Sequence, residues 1–268
     1  MRQVLINKQG KLTVAEIPAP TVEPGKVLVK TEYSVISSGT EIATIKHHSS
    51  GLVSKAISKP ELIGKLADQI MEKGPVRTVE FIKDNLSRWT ALGYSASGTV
   101  LEVGDSVSKI KVGDKVACIG SEYAYHADII CVPENLAVPV PEGASLQNAA
   151  FAPIAAIATQ ATRKCKISIG ETAAVIGLGL VGLLTCRILS LSGCRVIGID
   201  PSENRRKLAL KMGAMDSVPD NEASKGAIDS HTDGLGVDVS IITAASETNA
   251  PVMLGAELCR EGGKMVVV

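Results

Sequence analysis

The chain has 268 residues, and its 28 lysines and arginines are matched by 28 aspartates and glutamates, leaving no formal net charge. A balanced surface lacks the electrostatic footprint of a nucleic-acid or anionic-membrane binder, and aromatics at 3% leave little for a base-stacking platform. Hydrophobic residues at 45% are enough for ordinary packed cores, and at roughly 100–200 residues per domain the length fits two domains.

The segment Met1 to Lys11 meets charge again before a signal-peptide core could form. Lys11 to Ile17 alternates as a short strand and closes at Pro18-Ala-Pro20. Glu23-Pro-Gly-Lys26 is turn chemistry, and Val27 to Ile36 reads as a β-branched strand. From about residue 44 to 90 the pattern turns helical, with Leu62, Ile63, Leu66, Ile70 and Met71 at helical spacing and a weaker version from Pro75 to Trp89. Strands resume at Gly98–Gly104, Gly113–Cys118 and Ala127–Val132, whose Gly-Asp turns predict a compact β-barrel. Ser145 opens a helix, with Asn148 three residues on.

The second half alternates strand and helix. Thr172–Ile176, Arg195–Ile199, Val237–Ile242 and Lys264–Val268 read as strands, and Val181–Ser192, Pro201–Met212 and about Ala250–Arg260 as helices. That alternation predicts a parallel sheet with crossover helices. The expected organisation is an N-terminal domain over residues 1–153, carrying a helical insert at about 44–90, and a doubly wound Rossmann domain over 154–268. The last strand runs into Val268, so that domain is read as C-terminally incomplete. The apolar stretch Ala173–Ile199 is not taken as a membrane span, because Arg187 and Arg195 interrupt it. Cysteines 118, 131, 165, 186, 194 and 259 form no CxxC pair. They predict neither a disulfide framework nor a zinc ribbon, and fit buried thiols of a soluble, cytoplasmic protein.

The strongest local signal is Gly177-Leu178-Gly179-Leu180-Val181-Gly182, between a predicted strand and a predicted helix. Such a turn needs its first glycine for the bend, its second for backbone approach to a pyrophosphate, and its third for close helix–strand packing. Exposed amides and the helix dipole favour the phosphate charge. Asp200 closes the following strand, where a carboxylate accepts ribose hydroxyls and repels a 2′-phosphate. NAD is therefore expected over NADP, with Arg205 and Arg206 the features that favour NADP.

With these motifs, the chain resembles the medium-chain dehydrogenase/reductase superfamily, a GroES-like barrel followed by a Rossmann domain. The resemblance is carried by Gly113-Asp-Lys-Val116, Val132-Pro-Glu-Asn-Leu136, Pro139-Val-Pro-Glu-Gly143 and the glycine turn. Tyr33 to Glu41, the helical insert and Leu92 to Gly98 are similar to the zinc-lacking bi-domain oxidoreductases, in which such a unit is fused to a Gfo/Idh/MocA-type half. The resemblance implies a small-molecule substrate, such as a sugar-derived alcohol or carbonyl, homo-oligomerisation of the full-length form, and no nucleic-acid or membrane partner. Thr159 resembles a residue that touches the nicotinamide in relatives.

The departures from the zinc-dependent pattern carry their own expectation. Ser38-Gly39-Thr40-Glu41 stands for Cys-Gly-Thr-Asp, Gly93-Tyr94-Ser95 for Gly-His-Glu, and Ala152-Pro153 for Glu-Pro. Serine, tyrosine and alanine do not replace cysteine, histidine and glutamate around a tetrahedral zinc. No metal is expected, and oxyanion charge and proton transfer fall to Thr40, Tyr94, Ser38 and His126. Glu41 remains as an isolated carboxylate, equally readable as a turn residue. His47 and His48 read as solvated surface. Two rival readings follow the same residues: a quinone or enone reductase, and a catalytically silent cofactor-binding module of a larger fused protein.

Overall fold

The computed structural model describes residues 1–7, 10–37, 39, 41, 45 and 89–268, and the chain divides into two compact units, Met1–Phe151 and Ala152–Val268. The predicted helical insert lies outside the described residues, apart from position 45 and its last two positions.

Unit one is built on strands β1 (Arg2–Asn7), β2 (Leu12–Glu16), β3 (Lys26–Ser34), β4 (Trp89–Ala91), β5 (Ser95–Val103), β6 (Lys115–Ile119), β7 (Ile129–Pro133) and β8 (Ala137–Pro139). Five of them form a sheet of order β7-β3-β5-β6-β8 and three a sheet of order β2-β1-β4. An isolated antiparallel bridge pairs Gln3 of β1 with Ala127, two residues before β7. Val27 and Val29, and Ile130 and Val132, alternate along their strands and share one core with Val100, Val116 and Cys118, the period-two arrangement of a half-buried sheet. Fully burying each such side chain stabilises the fold by roughly 1.5–3 kcal/mol.

Trp89 and Thr90 correct the helical expectation. They belong to β4, which pairs antiparallel with β1 in the register Asn7↔Trp89, Ile6↔Thr90 and Leu5↔Ala91. An aromatic and a β-branched residue suit that pleated edge, and the pairing partner lies too far away in sequence for periodicity to register it.

Ser145 caps the short helix α1 (Leu146–Ala149), its Oγ accepting the Asn148 amide at 3.1 Å. Two buried serines of β5 hold this corner: Ser97 Oγ donates to Leu146 O at 2.6 Å and Ser95 Oγ to Ala150 O at 2.7 Å.

Unit two contains α2 (Ala152–Cys165), β9 (Thr172–Ile176), α3 (Leu180–Leu191), β10 (Arg195–Ile199), α4 (Glu203–Lys211), β11 (Asp216–Val218), α5 (Glu222–Thr232), β12 (Val237–Ile242), α6 (Ala250–Leu258) and β13 (Cys259–Val267). Its strands form a parallel sheet of order β11-β10-β9-β12-β13. The central strand β9 is buried throughout. Ala173 and Val175 face a core shared with Leu183, Cys186 and Leu189 of α3. Ala174 and Ile176 face the opposite core, with Ile228 of α5 and Leu258 of α6. A strand buried on both faces must read as a continuous apolar run, which is how it reads.

Several elements of unit two depart from the sequence expectation. β11 and α5 were not anticipated, because a three-residue strand and a helix reading Glu-Ala-Ser-Lys-Gly-Ala-Ile-Asp-Ser-His-Thr carry little apolar periodicity. α5 is instead fixed by its cap, Asn221 Oδ1 accepting the Ala223 amide at 2.9 Å, and by Ile228 in the core. The last helix stops at Leu258 rather than Arg260, and β13 begins at once at Cys259. Its register against β12 jumps from Val237↔Cys259 to Val239↔Lys264, and Arg260 within the irregular stretch bonds Asp238 at 2.7 Å. Among the described residues, no helix is long and apolar enough to cross a membrane.

Candidate functional site

In unit two the strand order reverses at β9, with β10 on one side and β12 on the other. The crevice outside the carboxyl ends of such strands is where doubly wound sheets bind ligands. The glycine turn leaves β9 there. Gly177 has φ 93°, and a Cβ on it would stand 2.6 Å from the Ala244 nitrogen. A Cβ on Gly182 would collide with the Gly177 carbonyl and approach Thr243 Oγ1 to 2.8 Å. Thr243, just past β12, fastens the turn by donating from Oγ1 to Gly177 O at 2.5 Å and from its amide to Ile176 O at 2.8 Å. A Cβ on Gly179 would meet nothing within 4 Å. The turn is therefore packed tight below Gly177 and Gly182 and open above Gly179. Gly179 caps α3 without a side-chain acceptor, so the first-turn amides of Leu180 and Val181 and the helix dipole are available to an anion.

Asp200 closes β10 and is 2% exposed. Its Oδ2 accepts the Leu178 amide at 2.8 Å and its Oδ1 the Ser202 amide at 2.8 Å. Arg205 Nη1 approaches Oδ2 at 3.5 Å, while Arg206 Nη1 donates to the Asp200 and Pro201 carbonyls at 2.7 and 2.8 Å. The carboxylate is thus held against the glycine turn, with an arginine on its outer side. A buried Leu178 side chain sits beneath, against Gly198 of β10.

In unit one, His126 lies in the loop between β6 and β7. Its Nε2 is 3.0 Å from Glu41 Oε1 and its Nδ1 2.8 Å from Ser34 Oγ. Of the two sequence readings of Glu41, an isolated carboxylate or a hydrogen-bonding turn residue, the structure gives it a hydrogen-bond partner. The His126 amide donates to Leu92 O at 2.8 Å, and its carbonyl accepts the Val4 amide at 2.9 Å. Gly93, with φ 105°, permits this contact, because a Cβ there would stand 2.6 Å from the His126 nitrogen. Tyr94 follows, half-buried, its carbonyl accepting the Gly120 amide at 2.9 Å.

Of the other residues singled out from sequence, Ser38, Thr40, His47 and His48 lie outside the described residues. Thr159 is exposed on α2 and turns its hydroxyl onto its own helix, donating to Ala155 O at 2.7 Å. Tyr123, in the same loop as His126, packs against the barrel core beneath Lys26, whose Nζ is 5.6 Å from the ring centroid. Sequence reading passed over Ser34, Thr243 and Ala244. The last two were reachable, since a strand end beside β9 in a doubly wound sheet borders the crevice. Ser34 carried no such signal.

Among the described residues the donor set for a metal is poor. Among the described residues, no group of three or more histidine, cysteine, aspartate or glutamate side chains could hold a metal ion. Ser95 spends its hydroxyl on Ala150 O, and Ala152 has no donor to offer. The cysteines are free and dispersed, and burial pushes the Cys118 and Cys186 thiols up to about 12.

Two family models match the chain: "Alcohol dehydrogenase GroES-like domain" over residues 23–142 and "Zinc-binding dehydrogenase" over residues 181–268. The chain is 27% identical to (R,R)-butanediol dehydrogenase of Bacillus subtilis, over 95% of this chain and 72% of that enzyme. It is 28% identical to "Probable D-xylulose reductase A" of Emericella nidulans, over 65% of this chain and 57% of that protein. Its fold matches alcohol dehydrogenase TADH from a Thermus species with a TM-score of 0.76 at 22% identity, covering all of this chain and 77% of that one.

Proposed function

We propose that this chain, which belongs to the zinc-type alcohol dehydrogenase-like medium-chain dehydrogenase/reductase superfamily, is an NAD(H)-dependent oxidoreductase module that works without zinc on an alcohol or its carbonyl partner. The observation that carries the reading is the glycine turn at the strand-order reversal, open above Gly179, with Asp200 held beside it. Gly177, Leu178, Gly179, Leu180, Val181 and Gly182 hold the pyrophosphate on backbone amides, and Asp200 takes the adenosine ribose hydroxyls. When bound, the dinucleotide supplies the hydride acceptor or donor. The Asp200 carboxylate favours NADH over NADPH, since a 2′-phosphate there meets like charge, while Arg205, already paired with it, lowers the barrier to NADPH.

Zinc independence rests on donor chemistry: tyrosine, serine and alanine stand where ligands would be needed, and the described residues offer no second set. Hydroxyl donors, Tyr94 with Ser38 and Thr40, then stabilise the developing oxyanion, and His126, whose ring nitrogens are engaged by Glu41 and Ser34, is the candidate that moves its proton. One well-placed donor is worth roughly 3–4 kcal/mol. The relatives named for butanediol and xylulose chemistry favour a secondary alcohol flanked by a second oxygen, such as a vicinal diol or sugar alcohol. The free thiols fit a cytoplasmic setting.

Calorimetric titration with NADH and NADPH, and elemental analysis of protein purified without added metal, test the reading together. NADH is expected to bind at least tenfold more tightly, with no stoichiometric zinc. Tighter NADPH binding, or one zinc per chain, overturns the corresponding half.

A further inference from the structure

We infer that Thr243 is a positioning residue for the dinucleotide, an inference that rests on the oxidoreductase reading above: with Asp200 it clamps the Gly177–Leu178 peptide from both sides and holds the turn ready for the pyrophosphate. The Gly177 carbonyl and the Leu178 N–H belong to one planar unit. On the β12 side, Thr243 Oγ1 donates to Gly177 O at 2.5 Å. On the β10 side, the Leu178 N–H donates to Asp200 Oδ2 at 2.8 Å. Thr243 and Asp200 each stand just past the end of a strand that flanks β9, so the peptide is gripped from opposite directions.

The hydroxyl is surplus to the sheet. The Thr243 amide already closes the ladder on Ile176 O at 2.8 Å, one residue past the register pair Ile242↔Ile176. Thr243 Oγ1 lies farther from that same carbonyl, at 3.2 Å. Its close contact is with Gly177, where β9 has ended and the turn has begun. Keeping it there constrains α3 as well, since a Cβ on Gly182 would stand 2.8 Å from Oγ1. A threonine that served the strand alone would need no hydroxyl at this point.

The turn needs holding because its first residue is a glycine. Gly177, at φ 93°, has no Cβ to restrict its dihedrals, so the peptide after it rotates unless both its ends are tied. Rotation carries Leu178 and Gly179 with it and turns the amides that follow away from a common point. Affinity then falls by the fraction of molecules whose turn is misaligned, and fixing a loop in its bound geometry removes that cost. Thr243 thus acts through the turn: its hydroxyl is spent on the Gly177 carbonyl, and the turn's own amides meet the phosphate.

The test needs a readout that general loss of stability does not mimic. In the full chain, amide hydrogen exchange without cofactor is followed by 15N NMR for wild type, Thr243→Ala and Thr243→Ser, two variants that differ by the hydroxyl alone. The clamp requires the Leu178 amide, which Thr243 does not touch, to exchange at least tenfold faster in Thr243→Ala while Ala174 and Val175 of β9 keep their wild-type rates. Thr243→Ser should stay within twofold of wild type. Calorimetric titration of the same samples should give NADH binding at least fivefold weaker in Thr243→Ala and near wild type in Thr243→Ser. Thr243→Val is the second donor-free variant, read in the same way if Thr243→Ala folds poorly. Unchanged Leu178 exchange, exchange that rises equally at Ala174 and Val175, or wild-type NADH affinity without the hydroxyl overturns the positioning role. Wild type that binds no NADH overturns the oxidoreductase reading and the role with it, so the two failures are told apart.

Discussion

The carboxylate of Asp200 accepts the backbone N–H of Leu178 at 2.8 Å, tying the end of β10 to the turn that leaves β9. The residue proposed to read the ribose therefore also shapes the loop proposed to hold the pyrophosphate. Asp200→Ala strands the amides of Leu178 and Ser202, and leaving buried donors unpaired costs roughly 1–3 kcal/mol. The variant is expected to melt at lower temperature even without cofactor, with Asp200→Asn recovering part of the loss. Equal melting of wild type and Asp200→Ala in thermal denaturation contradicts this.

Two glycines three residues apart, Gly179 and Gly182, are expected to fail in opposite ways when changed to alanine. Gly182→Ala pushes a methyl into the Gly177 carbonyl and Thr243, an overpacking of typically about 1–3 kcal/mol, and lowers stability and NADH affinity together. Gly179→Ala meets open space at an unstrained φ of −72°. Its stability should stay within about 0.5 kcal/mol of wild type, while NADH binding falls at least tenfold, because the methyl occupies the approach to the turn. Denaturant unfolding and fluorescence titration of both variants separate the cases.

Asp238 predicts a pH dependence. Burial opposes its charge, but the Thr172 amide and the Arg260 guanidinium outweigh burial and hold the carboxyl below the usual range. The bonds measure 2.8 and 2.7 Å. A carboxyl lowered on folding contributes stability above its unfolded pKa of about 4, and that contribution disappears as pH falls through the folded value. Asp238→Asn should therefore be less stable than wild type at pH 7, with the gap closing below about pH 4. A gap that stays constant down to pH 3 assigns the loss to something other than the charge.

The thiols divide by burial. Cys118 and Cys186 are pushed up to about 12 and Cys165 to about 11, so at pH 8 they hold almost no thiolate. A disulfide reagent such as Ellman's should label them last in the folded protein, and all six cysteines together once it is unfolded. Rapid native labelling of Cys118 or Cys186 sinks the prediction.

Much of unit two was legible because its signals are local. β9, β10 and β12 run over the residues that the sequence predicted, since each is mostly apolar and rich in β-branched residues, with Arg195, Asp238 and Ser240 too few to blur the signal. The glycine turn was legible for the same reason: its conformational demands fall on consecutive residues. β11 and α5 were not, because a short strand and a polar helix owe their place to neighbours such as Ile228's core rather than to a pattern of their own.

What the sequence determined by itself is the alternation that makes a parallel sheet, the turn chemistry after β9, and the carboxylate at the end of β10. What only the tertiary structure decided are the partners. Ser34 and His126 are 92 residues apart and Glu41 and His126 are 85 apart, Trp89 pairs with Asn7 across β1, and Thr243 closes the turn begun at Gly177 from 66 residues away. Helix and strand preferences act over a few residues, through dihedral sterics and side-chain period, and so are written along the chain. A hydrogen bond between distant side chains exists only after the backbone has closed the loop between them, and no local pattern records which hydroxyl will then stand beside which imidazole.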